Sequence, residues 1–147
     1  MIAFDTNVLV YSTDSSAGAK HARSTALLTT ALSRGVLFLP TQILAEYYGV
    51  VTRKLKLRPE VARGNVDTWA QAAAAVVAYD LADLRTAMEV AAKHNIAAWD
   101  ALVWAVCERA GVGTLVTEDF QDGRTLGRVT FLDPFNPANA ARLGPGG

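Results

Sequence analysis

The feature that most constrains this chain is an alternation between short apolar runs and longer stretches with helical periodicity. The runs are Ile2–Phe4, Val36–Leu39, Val76–Ala78, Thr114–Val116 and Val129–Leu132. Apart from Thr114 and Thr130 they are apolar at successive residues rather than at every second one, the pattern of strands covered on both faces. With helical stretches between them, they predict an α/β fold: a mainly parallel central sheet with helices on both faces.

The helical stretches have their own signals. Residues 17–34 place Ala22, Ala26, Leu27 and Ala31 at 3.6-residue spacing, with Gly35 just past the end. Thr41 is placed to cap a helix running to about Leu55, with Leu44, Tyr47, Tyr48 and Val51 on its apolar face. Pro59 opens a helix through Trp69, Asp80 or Asp83 caps one ending near Lys93, and Ala98–Arg109 forms another closed by Gly111. The pattern predicts a single domain over residues 1–135 and a loosely attached Pro/Gly-rich tail over 136–147.

Composition narrows the function. With 147 residues, 51% of them hydrophobic and 19% charged, the chain is one domain with a sizeable core, which excludes a disordered regulator. Lys+Arg and Asp+Glu both count 14, so the zero net charge excludes a polybasic nucleic-acid coat or membrane binder. One cysteine, Cys107, excludes an internal disulfide framework, and His21 and His94 are too far apart in sequence to suggest a zinc site. Met1 runs directly into Ile2-Ala3-Phe4-Asp5 without a basic leader, and no apolar stretch is long enough to span a bilayer. The expectation is a soluble, cytoplasmic protein with no membrane partner.

Four acids stand where such a fold gathers its chemistry, since ligands of parallel sheets bind beyond the carboxyl ends of the strands. Asp5 follows the first run directly, and Asp119 follows Thr114–Val116. Glu46 lies in the second turn after Val36–Leu39, and Asp100 in the first turn of its helix. If the four converge they need a cation, because two like charges about 4 Å apart repel by roughly 4 kcal/mol at an effective dielectric near 20. Mg²⁺ or Mn²⁺ is the natural partner of oxygen-only ligands, and such a site activates water for phosphoryl displacement. Each acid also has an ordinary reading. Asp5 can cap a helix, Asp100 can favour a helix dipole, Glu46 can be solvated, and Asp119 with Asp122 and Gly123 can form a turn. Spacing alone leaves both readings open.

In order along the chain, Ile2-Ala3-Phe4-Asp5-Thr6-Asn7-Val8-Leu9, Gln42-Ile43-Leu44-Ala45-Glu46-Tyr47, Ala98-Trp99-Asp100-Ala101-Leu102-Val103, Leu115 through Gly123, and Val129 through Phe135 together resemble a PIN-domain ribonuclease of the VapC type, the toxin of a bacterial toxin–antitoxin pair. The resemblance implies a PIN-like three-layer fold. It also implies that Asp5, Glu46, Asp100 and Asp119 bind Mg²⁺ or Mn²⁺, with Asp5 and Asp100 the firmest ligands. Asn7 and Thr117 would orient Asp5 and Asp119, and Asp122 would contribute through water. Members of this family cleave single-stranded or looped RNA with metal-activated water, form homodimers and are silenced by a cognate VapB-like antitoxin.

Other residues have two readings each. Arg53, Lys54, Lys56, Arg58 and Arg63 form either a solvated helix end or a phosphate-steering rim for RNA, as do Arg124 and Arg128 beyond Asp119. Trp69, Trp99 and Trp104 suit core or interface packing better than base stacking, although either use is open to them. Cys107 reads as an inert core residue, and His21 and His94 as surface residues. Phe4-Asp5-Thr6-Asn7 also resembles the opening of haloacid-dehalogenase-type phosphatases. That chemistry needs a second acid where Asn7 stands, and no suitably placed lysine follows. A catalytically idle PIN-like binding module is the remaining rival, and the intact acids argue against it.

Overall fold

A computed structural model of the protein describes residues 1–144. The apolar opening forms β1 (Ile2–Phe4), and Asp5 ends it and turns the chain into α1 (Thr6–Thr13). A short 3₁₀ turn at Ser15–Ala17 leads into α2 (Ala19–Ser33), then β2 (Leu37–Pro40) and α3 (Thr41–Arg53). The middle of the chain holds α4 (Pro59–Ala72), β3 (Ala75–Val77), α5 (Leu81–His94) and α6 (Ala98–Arg109). It closes with β4 (Thr114–Val116), β5 (Thr125–Leu126), β6 (Val129–Leu132), a 3₁₀ turn at Pro137–Asn139 and α7 (Ala140–Leu143).

The strands form one sheet in the order β3-β2-β1-β4-β6-β5, parallel except for β5 against β6. The fold is therefore α/β, a mainly parallel central sheet flanked by helices. All four residues of β2 are buried, which requires cover on both faces and explains their unbroken apolar run. In α6, Ala101 through Cys107 are buried without interruption, so this helix is apolar on every side rather than amphipathic. Among the described residues no helix is long and apolar enough to cross a membrane.

Register brings the future site together. Ile2 lies opposite both Leu37 and Thr114, and Phe4 lies opposite Val116. The parallel strands β1, β2 and β4 therefore end at one edge, where Asp5, Thr41 and Thr117 follow them.

Several sequence expectations shift. The third strand is Ala75–Val77, one residue earlier than its most apolar run suggested. The two-residue β5 was not expected at all. It forms a hairpin with β6 through Gly127, whose φ is 59°. A side chain there would meet the Glu108 carboxylate at 2.6 Å and push that side chain aside, but it is the positive φ that favours glycine. The expectation of a loose tail from residue 136 is corrected for residues 136–144. Asn139 and Leu143 are buried, Leu143 at the core, and the Arg23 guanidinium donates to the carbonyls of Pro134 and Gly144. Residues 145–147 of that tail lie outside the described residues. His21 is half-buried rather than a surface residue, its Nδ1 2.8 Å from the Tyr11 carbonyl.

The tryptophans divide three ways. Trp104 is buried and donates from Nε1 to the Leu126 carbonyl at 3.0 Å. Trp69 packs edge-to-face on Tyr47, ring centroids 4.7 Å apart. Trp99 departs from core packing, with 66% of its surface exposed.

Candidate active site

Asp5 is the most buried of the four acids, at 6% exposure. Its backbone stays extended, which lets its side chain cap α1. Oδ1 accepts from the Thr6 backbone N–H at 2.7 Å, and Oδ2 accepts from the Thr117 hydroxyl at 2.7 Å. Burial pushes its carboxyl up from 3.8 to about 6; the Thr117 and Thr6 hydrogen bonds oppose this, and the charges of Asp119 and Asp100 add to it.

Thr117 joins two acids: while donating to Asp5, its hydroxyl accepts from the Asp119 backbone N–H at 3.1 Å. Asp119 Oδ2 accepts from Asn7 Nδ2 at 3.0 Å, leaving Asn7 Oδ1 buried without a donor. Glu46 is held at both oxygens, by the Thr6 hydroxyl at 2.8 Å and by Gln42 Nε2 at 2.8 Å one turn back along α3. Asp100 sits in the first turn of α6, its carboxyl raised by burial and by the charges of Asp119 and Glu46.

The four carboxylates thus face one edge, where burial and the neighbouring charges raise Asp5 and Asp100. Among the described residues, the ion pairs formed by Lys20, Arg63, Arg109 and Arg128 all go to other acids, Glu118, Asp67, Asp83 and Glu108. Among the described residues no three Asp, Glu, His or Cys side chains stand close enough to hold one ion together. The donor set still fits a hard divalent cation, which keeps several waters and binds directly through only one or two carboxylates. The orphaned Asn7 Oδ1 is a ready acceptor for such a water.

A comparison with known families matches the PIN domain over residues 2–124. This chain belongs to the PIN-domain family. No curated protein matches it. PIN domains are generally nucleases that use divalent metal ions and bind nucleic acid.

In this PIN domain, some residues singled out from sequence have other employment. Both Asp122 oxygens are committed to the C-terminal segment: Oδ1 accepts from the Asp133 N–H and Asn139 Nδ2, and Oδ2 from Asn136 Nδ2. These bonds hold its carboxyl below the usual range and make it an anchor for the C-terminal segment. Arg124 lies 3.2 Å from His94 Nδ1, Arg63 pairs with Asp67, and Arg128 pairs with Glu108. Arg53, Lys54 and Lys56 are exposed, and Arg53 stands about 10 Å beyond Glu46 along the α3 axis at ~1.5 Å per residue. Burial pushes the Cys107 thiol up to about 12, with the charge of Asp5 adding to it, so the thiol is inert.

Sequence reasoning missed two groups. Gln42 holds Glu46 and also donates from Nε2 to the Trp99 carbonyl at 3.0 Å, tying α3 to the start of α6. Its position one turn before Glu46 was the available signal. Tyr11 donates to Glu118 at 2.6 Å, and Lys20 pairs with the same carboxylate above the Tyr11 and Phe135 rings. This cluster ties α1 and α2 to the residue preceding Asp119, and nothing in the local sequence marks it.

Proposed function

We propose that this PIN domain is a Mg²⁺- or Mn²⁺-dependent endoribonuclease acting as the cytoplasmic toxin of a type II toxin–antitoxin pair, as a homodimer silenced by a VapB-like partner. The observation that carries the metal-dependent part is that burial and neighbouring carboxylates raise both Asp5 and Asp100 at a sheet edge where, among the described residues, no lysine or arginine forms an ion pair with them. A structural cluster would be expected to carry its own counter-charge; this one is left to an exogenous cation. The toxin and ribonuclease parts rest on the order and content of the four sequence blocks.

In this reading Asp5 and Asp100 hold the ion, with Asp119 and Glu46 completing the pocket. When bound, the ion supplies a water of lowered pKa and offsets charge growing on the phosphate. The chain's own part is orientation. The Thr117 hydroxyl and Thr6 N–H fix Asp5, Asn7 fixes Asp119, and Thr6 with Gln42 fixes both oxygens of Glu46. Arg53, Lys54, Lys56 and Arg124 are the candidate contacts to RNA phosphates.

The test is incubation of purified protein with structured RNA in Mg²⁺ or Mn²⁺, and in EDTA. Cleavage requires the metal and falls by orders of magnitude in Asp5→Asn and Asp100→Asn. Undiminished cleavage in EDTA, or RNA binding with no cleavage under any metal condition, refutes the proposal. For the toxin part, expression alone slows growth and expression of Asp5→Asn does not; equal growth of the two strains rejects it.

A further inference from the structure

Beside the acids lies an open cleft of about 440 Å³, lined by Gln42, Ala45, Glu46, Tyr79, Trp99 and Asp100. That volume falls in the range of ligand sites, roughly 300–1,000 Å³. Two of the four acids line it, together with two aromatic residues that are 45% and 66% exposed, Tyr79 and Trp99. An indole so open to water, next to charged groups, is spare binding surface rather than core.

We propose that this cleft is a subsite for one unpaired nucleobase, belonging to the nucleotide next to the phosphate held at the acidic pocket. The inference rests on the nuclease reading and adds a substrate preference to it. The walls offer no lysine or arginine, so they do not suit a phosphate. They suit a flat, uncharged ring, and every base has a π-face to stack. The exocyclic N–H groups of a base also give Glu46 and Asp100 donors to accept from. A second protein copy closing over the same cleft would bury those carboxylates without partners, which is strongly unfavourable.

Gln42 sets the register between this subsite and the acids. Its Nε2 donates both to Glu46 and to the Trp99 carbonyl, so the stacking residue and the acid are held at a fixed separation. The amide orientation follows from chemistry, because turning it over would set Oε1 against two acceptors. A base stacked at Trp99 lies in the cleft that Glu46 and Asp100 also line, and a base held inside a duplex is not free to enter it.

The experiment is a titration in EDTA with a short, end-labelled single-stranded RNA, Kd being read from the anisotropy of the label and stacking from tryptophan emission, repeated with Trp99→Phe, Trp99→Ala and Tyr79→Ala. Binding quenches wild-type emission, and Trp99→Phe loses that signal while keeping most of the affinity. Trp99→Ala raises Kd on the order of tenfold. The same RNA annealed to its complement competes poorly. With Mn²⁺ added, Trp99→Ala cleaves with a raised KM and little change in kcat. An unchanged Kd in both alanine variants overturns the proposal. So does a Trp99→Ala protein that changes from dimer to monomer while binding RNA at wild-type affinity, since the rings then cover a second copy. Wild type that binds with quenching but never cleaves would refute the nuclease reading and leave the subsite standing. Cleavage by Trp99→Ala at wild-type KM would do the reverse.

Discussion

Asp5→Asn should make the metal-free protein more stable, although it removes a residue at the centre of the site. Asp5 is buried at 6% exposure, and its carboxyl titrates near 6 instead of 3.8. At about 1.4 kcal/mol per pH unit, keeping it ionised in the fold at pH 7.5 costs about 3 kcal/mol. Asparagine removes the charge but gives up one of the two donors that Asp5 accepts from, Thr6 N–H or the Thr117 hydroxyl, a loss of about 1 kcal/mol. The net gain is about 2 kcal/mol, or roughly 4–8 °C in Tm for a chain of this size. The sign depends on pH. A carboxyl raised in the fold binds its proton more tightly there, so the wild type is relatively most stable below 3.8 and loses stability as pH rises through 6. At pH 4 the ionisation penalty has shrunk to about 0.6 kcal/mol, less than the lost hydrogen bond, and the advantage of Asp5→Asn disappears. Thermal unfolding in EDTA at pH 7.5 and pH 4 measures both. A variant that melts below wild type at pH 7.5, or gains equally at both pH values, refutes the account of Asp5 as a charge held in the fold at a cost.

The same logic makes Mg²⁺ or Mn²⁺ a stabiliser: titrating the ion should raise the wild-type Tm progressively and leave Asp5→Asn nearly unmoved, read by the same melts. Arg109→Ala should destabilise by about 1–3 kcal/mol in urea unfolding at pH 7, because it leaves Asp83, 3% exposed, without its bidentate partner. Arg109 holds the Asp83 carboxyl below its ordinary value, so this contribution is present above about pH 4 and fades as pH falls through the lowered value. Leu143→Ala should cost about 2–3 kcal/mol by urea unfolding, showing that α7 belongs to the folded unit. Gly127→Ala, with its positive φ and the Glu108 carboxylate in its path, should lower Tm by several degrees; an unchanged melt removes the argument for that hairpin.

Strands covered on both faces write themselves as unbroken apolar runs, so β1, β2, β4 and β6 and the acids following them were legible from the chain alone. Where a segment's burial depends on a remote partner, the sequence is silent. Thr125–Leu126 forms a strand only because β6 lies alongside, and the Asn136 and Asn139 side chains are tied to the fold by donating to the remote Asp122 carboxylate. Asp122 was expected to support the site through water, and nothing in the local sequence marks the three donors from the C-terminal segment that its carboxylate accepts from. Gln42 escaped notice because amides are common on helices, and its value lies in reaching a carbonyl 57 residues away.

The pairing of β1 with β4 also sets an order in time. Asp5 takes its Thr117 hydrogen bond across 112 residues of chain. At roughly 5–20 residues per second of synthesis, about 6–22 s separate the appearance of the two residues. During that interval β1 can pair only with β2, and Asp5 has neither Thr117 nor Asp119 beside it. The acidic pocket is therefore among the last features a growing chain acquires, and a chain stopped short of Thr117 carries the first acid without the site.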